Sequence, residues 1–198
     1  MSMYFENDPN IKSIQKKVSI HINDLILPMY TDNGVFSKDK LDYGTRLLLN
    51  NLPLSNMKGN VLDLGCGYGP VGIYLSKKTN CQIDMVDINE RAINLTKKNI
   101  ELNKVNNTFV FTSNIYENIK NKYNYIITNP PIRAGKEVVR KFLLGAKEYL
   151  LDKGELWFVM RKDHGVKSMM KELEPIFTTE IIEKDKGFYI IRCVKNNQ

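Results

Sequence analysis

The chain is 198 residues long, enough for one domain around a single core, and its 42% hydrophobic and 26% charged content matches that of soluble globular chains. That balance excludes disordered, collagen-like and coiled-coil architectures. The formal net charge of +7 fits an anionic partner such as nucleic acid, although the basic residues fall in dispersed pairs (Lys16-Lys17, Lys77-Lys78, Lys97-Lys98, Arg140-Lys141 and Arg161-Lys162) that a solvated surface also accommodates.

The stretch from Met1 to Ile14 is polar and carries no apolar core of the secretory type, so export is not expected. From Val18 to Ser37 the chain is rich in strand and turn formers. We expect residues 1–40 to form an amino-terminal flap over the carboxyl edge of a sheet. The run Leu25–Tyr30 is too short to cross a bilayer and is broken by Pro28, so no membrane association is expected. A helix is expected over Asp42–Leu52, ended by Pro53.

From Asn60 onward strands and helices alternate. Val61–Leu64 reads as a strand, Val71–Lys78 as a helix, Gln82–Val86 as a strand and Glu90–Asn103 as a helix. Thr108–Thr112 and Tyr123–Thr128 follow as strands, Lys136–Leu151 as a helix and Glu155–Met160 as a strand. After a helix at Val166–Leu173, strands Phe177–Ile182 and Phe188–Val194 flank a turn at Lys186-Gly187 and form a closing antiparallel hairpin. Right-handed crossovers between such strands give an α/β fold, a doubly wound, mostly parallel sheet of seven strands. The whole chain, 1–198, is expected to be one domain. Cys66, Cys81 and Cys193 match neither a disulfide framework nor a zinc knuckle, which places the chain in a reducing cytoplasm and predicts no metal.

In doubly wound sheets, function lies in the loops after the strands. After the strand ending at Leu64, Gly65, Gly67 and Gly69 let the backbone turn sharply and approach a ligand. A dinucleotide fingerprint would need glycine where Pro70 stands, and Asp63 would repel a pyrophosphate but attract an ammonium group. The loop therefore suits a cationic ligand without phosphate; S-adenosylmethionine, with an amino group and a sulfonium, is such a ligand. Asp87, at the end of the next strand, is placed to accept ribose hydroxyls, or to cap the helix that follows together with Asn89. Ile88 can cover an adenine face. Asn114 and Ile115 follow the third strand, where the adenine amino group would be met; a turn-forming Asn explains Asn114 equally well.

Asn129-Pro130-Pro131-Ile132 follows the fourth strand as a stiff turn. An exocyclic amine conjugated to a base or amide is a poor nucleophile because its lone pair is delocalised. If the Asn129 side-chain oxygen and the Pro130 carbonyl accept both amine hydrogens, the nitrogen pyramidalises with its lone pair toward the methyl donor, and catalysis is positioning and electrostatics. Ile132 offers an apolar face to the acceptor. Arg133 and Lys136 flank the loop and can meet phosphates, or simply solvate the surface.

The glycine loop resembles the first motif of class I S-adenosylmethionine-dependent methyltransferases. With Asp32–Ser37, Leu41–Leu49, Asn129–Lys136 and the closing hairpin, the chain resembles the methyltransferase small-domain family, which includes guanine-N2 enzymes of small-subunit ribosomal RNA. The resemblance implies a Rossmann-like fold, S-adenosylmethionine as cofactor and ribosomal RNA or the small ribosomal subunit as partner. It places Gly44 and Thr45 near the methionine end of the cofactor and Phe36 over the substrate. Many enzymes with this loop carry Tyr or Phe where this chain has Ile132. Glutamine-amide N5 of release factors and adenine N6 are the alternative acceptors, and a non-catalytic cofactor- or RNA-binding module is the reading from another class.

Overall fold

The computed structural model describes residues 12–37 and 40–196. A hairpin of β1 (Lys16–Ile22) and β2 (Leu25–Thr31) precedes α1 (Tyr43–Asn51). Then come β3 (Asn60–Leu64), α2 (Pro70–Lys78), β4 (Gln82–Asp87), α3 (Glu90–Asn103), β5 (Thr108–Thr112) and β6 (Tyr123–Thr128). The remainder is α4 (Lys136–Leu144), α5 (Ala146–Tyr149), β7 (Leu150–Arg161), α6 (Val166–Leu173), β8 (Phe177–Asp185) and β9 (Phe188–Lys195).

The seven-stranded sheet runs β5-β4-β3-β6-β7-β9-β8, parallel from β5 through β7, with β9 antiparallel to both β7 and β8. The expected doubly wound sheet and closing hairpin are therefore present. Lys186 and Gly187 both take positive φ, 47° and 80°, as a tight two-residue hairpin turn requires. The strand order reverses between β3 and β6, so the loops leaving these neighbours share the switch point where ligands of such sheets bind.

Apolar residues on one face of the sheet, among them Val61, Met85 and Ile127, pack with the first hairpin and α1–α3. Those on the other, such as Leu62, Val86 and Phe158, pack with residues of α4–α6. Burial on both faces explains why β3 reads as a continuous apolar run broken by Asp63 alone.

Two segments differ from the sequence reading. The helix expected over Lys136–Leu151 stops at Leu144 and, after Gly145, only the single turn of α5 follows. A Cβ at Gly145 would lie 2.5 Å from the Lys141 carbonyl and 2.9 Å from the Tyr116 ring. Leu150, fully buried, pairs with Tyr123 and starts β7, so sheet pairing overrides the helical pattern of the apolar residues.

The first hairpin lies along α3. Asn99 accepts from the Tyr30 N–H at 2.6 Å and donates to the Tyr30 carbonyl at 2.9 Å, while Asn103 donates to the Pro28 carbonyl at 2.8 Å. Of the segment read as a flap, Val35, Phe36 and Ser37 reach the carboxyl edge of the sheet. Its residues 1–11 and 38–39 lie outside the described residues.

Candidate active site

At the switch point a cleft of about 770 Å³ opens, a size typical of small-molecule sites. Its floor is the turn after β3. Gly65 and Gly67 adopt φ of 76° and 58°, a region that side chains disfavour, and a Cβ on Gly67 would meet nothing within 4 Å, so its backbone is open to a ligand. Neighbouring elements fix the turn. The Val86 carbonyl accepts from the N–H groups of Gly65 and Cys66 at 2.9 and 2.8 Å, and Thr96 and Asn99 of α3 each donate at 2.8 Å to the carbonyls of Gly67 and Tyr68.

Two carboxylates border the turn. Asp63 accepts from the Gly72 N–H at 3.0 Å, and Asp87 accepts from the N–H groups of Gly67 and Asn89, each at 2.9 Å. Burial pushes the Asp63 carboxyl up to about 7, against the lowering effect of the Gly72 N–H and with a smaller push from the Asp87 charge. Burial also raises Asp87, opposed by the N–H groups of Asn89, Gly67 and Ile88. The helix-cap role falls to Asn89, whose side chain accepts from Arg91 N at 3.0 Å and Ala92 N at 3.3 Å, so Asp87 is held in the turn itself.

This donor set fits S-adenosylmethionine. A desolvated carboxylate with no cation beside it among the described residues suits an ammonium group, a second suits ribose hydroxyls, and apolar Ile88 and Ile115 border the cleft with Asn114 beside them. Ser113 shapes that third loop: its hydroxyl donates to the Ile115 carbonyl at 2.9 Å and accepts from Asn118 N at 3.1 Å.

The Asn-Pro-Pro loop forms the opposite wall. Thr128 donates to the Leu64 carbonyl at 2.8 Å, joining the ends of β6 and β3. Asn129 donates from Nδ2 to Asp42 Oδ2 at 3.0 Å and to Thr45 Oγ1 at 2.9 Å. Only the amide nitrogen can face a carboxylate, which leaves Oδ1 for the cleft that Asn129 lines. Pro130, Pro131, Ile132 and Arg133 line the same wall.

Three residues singled out from the sequence do not line the cleft. Gly44 is packed under Phe188, where a Cβ would lie 2.9 Å from Cε1. Gly69 is the left-handed cap of α2, where a Cβ would meet Thr96 at 2.9 Å and Met85 at 3.1 Å. Lys136 faces Glu172 at 3.4 Å. Thr45 does line the cleft, but its N–H donates to Asp42 Oδ2 at 2.9 Å. Among the described residues no group of three or more His, Cys, Asp or Glu is arranged to hold a metal, and no helix is long and apolar enough to cross a membrane.

Sequence reasoning missed Asp42, Arg161 and Phe188. Asp42 was readable only as a helix cap, Asp-Tyr-Gly-Thr before an apolar run. Arg161 and Phe188 sit at the end of β7 and the start of β9 and face each other only because those strands pair in that register.

The sequence profile of the methyltransferase small domain matches residues 27–192. The uncharacterized protein YbxB of Bacillus subtilis is 37% identical over 97% of this chain and 98% of its own length. A ribosomal RNA small subunit methyltransferase C from Psychromonas ingrahamii is 33% identical over 90% of the chain and 52% of its own length. The fold superimposes with a TM-score of 0.84, at 22% identity, on the T. thermophilus 16S rRNA N2 methyltransferase RsmC in complex with AdoMet and guanosine, over 95% of this chain and 52% of that one. The chain thus spans about half the length of these ribosomal RNA methyltransferases. With its glycine turn, two acids and Asn-Pro-Pro wall around one cleft, it belongs to the methyltransferase small-domain family and is an S-adenosylmethionine-dependent methyltransferase.

Proposed function

We propose that this methyltransferase acts on an exocyclic amine, the N2 of a guanine in small-subunit ribosomal RNA. The observation that carries the reading is the fixed orientation of the Asn129 amide by Asp42 and Thr45. An acceptor oxygen held at the end of a Pro-Pro turn suits a planar amine, which needs two hydrogen-bond acceptors to hold it while its nitrogen pyramidalises.

When bound, S-adenosylmethionine supplies a methyl group on a positively charged sulfur. Asp87 would hold its ribose, Asp63 its ammonium, and Ile88, Asn114 and Ile115 its adenine. Asn129 Oδ1 and the Pro130 carbonyl would accept the two amine hydrogens, and the methylated nitrogen then loses a proton to water, so no side-chain base is required. Phe36 and Arg133 would border the acceptor side, whereas Lys136 lies outside the cleft lining and pairs with Glu172. The net charge of +7 and the names of the ribosomal RNA relatives favour RNA over protein. The reading is of one catalytic domain in the cytoplasm, a setting that suits its three buried free thiols.

Ile132, where an aromatic residue would stack better on a base, is the observation that favours a second reading, methylation of a glutamine amide in a release factor. Incubation with methyl-labelled S-adenosylmethionine and small ribosomal subunits from cells lacking the protein, with release factor in a parallel tube, separates the readings. The expected product is labelled N2-methylguanosine. Label on glutamine, or on adenine N6, would overturn the guanine assignment.

A further inference from the structure

The cleft has an acceptor end with no aromatic residue in the Asn-Pro-Pro turn itself. Of the aromatic side chains that line the cleft, Tyr68 and Phe142 are buried, and Phe142 lies beside Gly65 at the cofactor turn, 3.3 Å from where a Cβ would be. Phe36 lines the cleft as well, on a segment anchored near Asp87. The segment before it is tied to the start of α3, where Asn89 donates to the Gly34 carbonyl at 3.1 Å and Arg91 to the Asn33 carbonyl at 2.8 Å, next to Asp87. Phe188 is different. Its ring packs on Gly44, between Asp42 and Thr45, the two residues that orient Asn129.

Phe188 carries a cation. The Arg161 guanidinium lies over its ring, 5.1 Å from the centroid, and also lines the cleft. Asp163 grips that guanidinium from one side, through Nε at 2.9 Å and Nη2 at 3.2 Å, which leaves Nη1 without a hydrogen-bond partner among the described residues. The pair is braced from below: Lys162 N donates to the Gly187 carbonyl at 2.8 Å, and the Tyr43 ring packs 5.5 Å from that of Phe188. A guanidinium layered on an aromatic ring is a surface on which bases stack.

We infer that Arg161 and Phe188 form the seat for the acceptor nucleobase, with Nη1 of Arg161 donating to the same nucleotide. This rests on the nucleobase reading of the site given above. It accounts for Ile132: the flat surface that the loop omits comes from the β7–β9 edge, on the other side of α1's first turn. It also gives the closing antiparallel strand a task, since β9 carries Phe188 at its first residue, opposite Arg161 at the last residue of β7.

The test is steady-state methylation of small ribosomal subunits by the full chain, with S-adenosylmethionine affinity measured separately by calorimetry. Phe188→Leu keeps the apolar bulk on Gly44 and removes the ring; Arg161→Gln removes the guanidinium from that ring and leaves the buried core untouched. Each should raise KM for RNA roughly ten-fold, the scale of one aromatic–base stack, with unchanged cofactor affinity, and Phe188→Tyr should restore it. Wild-type KM and kcat in both Phe188→Leu and Arg161→Gln, or a parallel loss of cofactor affinity, would overturn the seat while leaving the guanine reading in place. If the wild-type chain itself puts no label on guanosine, the guanine reading falls, and the seat falls with it.

Discussion

Asn129 donates from Nδ2 to Oδ2 of Asp42 at 3.0 Å, so the amide of the Asn-Pro-Pro loop is set by the residue that caps α1. The same oxygen accepts from Thr45 N at 2.9 Å and Thr45 Oγ1 at 3.3 Å. One carboxylate therefore starts the helix and decides which way round the Asn129 amide sits. The two tasks are separable by substitution.

Asp42→Ala removes both. The lost cap should cost about 1 kcal/mol of stability, and the Asn129 amide, left with only the Thr45 hydroxyl, which can face either of its ends, should lower kcat by about a hundred-fold, the usual penalty for a misplaced catalytic group. Asp42→Ser retains a capping oxygen on a shorter side chain that does not reach Asn129. Its melting temperature should return toward that of the wild type while kcat stays low. Recovery of kcat along with stability would show that Asp42 acts as a cap alone.

Asn129→Ala should lower kcat by at least about a hundred-fold, since an oriented hydrogen-bonding group at the reacting centre is lost, and leave cofactor affinity nearly unchanged. Asn129→Asp should fail for a second reason, because it sets a carboxylate against that of Asp42 at hydrogen-bond distance. Calorimetric titration with S-adenosylmethionine beside the rate measurement decides the matter. Equal loss of affinity and rate would assign the loop to cofactor binding or folding instead.

Much of this was readable locally. Glu90–Asn103, Thr108–Thr112, Tyr123–Thr128 and Val166–Leu173 have the limits their periodicity and caps dictate, and Asp63, Gly65, Gly67, Asp87 and Asn129 all line one cleft because each lies near or just past the carboxyl end of a strand of a parallel sheet. What stayed hidden depends on contacts between distant residues. No local pattern pairs Asn129 with Asp42, 87 residues away, or lays Arg161 over Phe188. The start of β7 was misjudged because Leu150 is held by Tyr123 of β6, a partner that helical periodicity does not register. The resemblance places Gly44 and Thr45 near the methionine end of the cofactor, yet the amide of Thr45 is taken by Asp42, a side chain two residues outside the pair.

Asp87 holds the Gly67 and Asn89 amides through its two oxygens and lines the cleft. Asp87→Ala should weaken S-adenosylmethionine binding by about ten-fold or more, because a charged acceptor is lost and buried N–H groups are left unpaired, while kcat at saturating cofactor falls much less. Asp87→Asn offers only one acceptor oxygen and should lie between the two. Calorimetry on the three proteins reads this directly, and an unchanged dissociation constant in Asp87→Ala would remove the residue from cofactor binding.

Asp63 makes the molecule sensitive to pH. Its carboxyl, raised by burial from 3.8 to about 7, binds a proton more tightly in the folded chain than in the unfolded one. Between these values the folded state holds more protons, so the stability of the ligand-free chain is greatest at the acid end of the window, declines as pH rises toward 7 and is level beyond, a change on the order of 4 kcal/mol at most. Asp87, also raised, acts in the same direction. Cofactor binding runs the opposite way: an ammonium beside Asp63 favours the carboxylate, binding releases a proton, and affinity should rise with pH up to about 7 and then level off. Asp63→Asn keeps an acceptor for the Gly72 N–H and removes the titration. Its thermal stability should be less dependent on pH, and its cofactor affinity weaker and flatter, than those of the wild type. A variant whose affinity still rises through neutral pH as steeply as the wild type's would show that another group carries the proton.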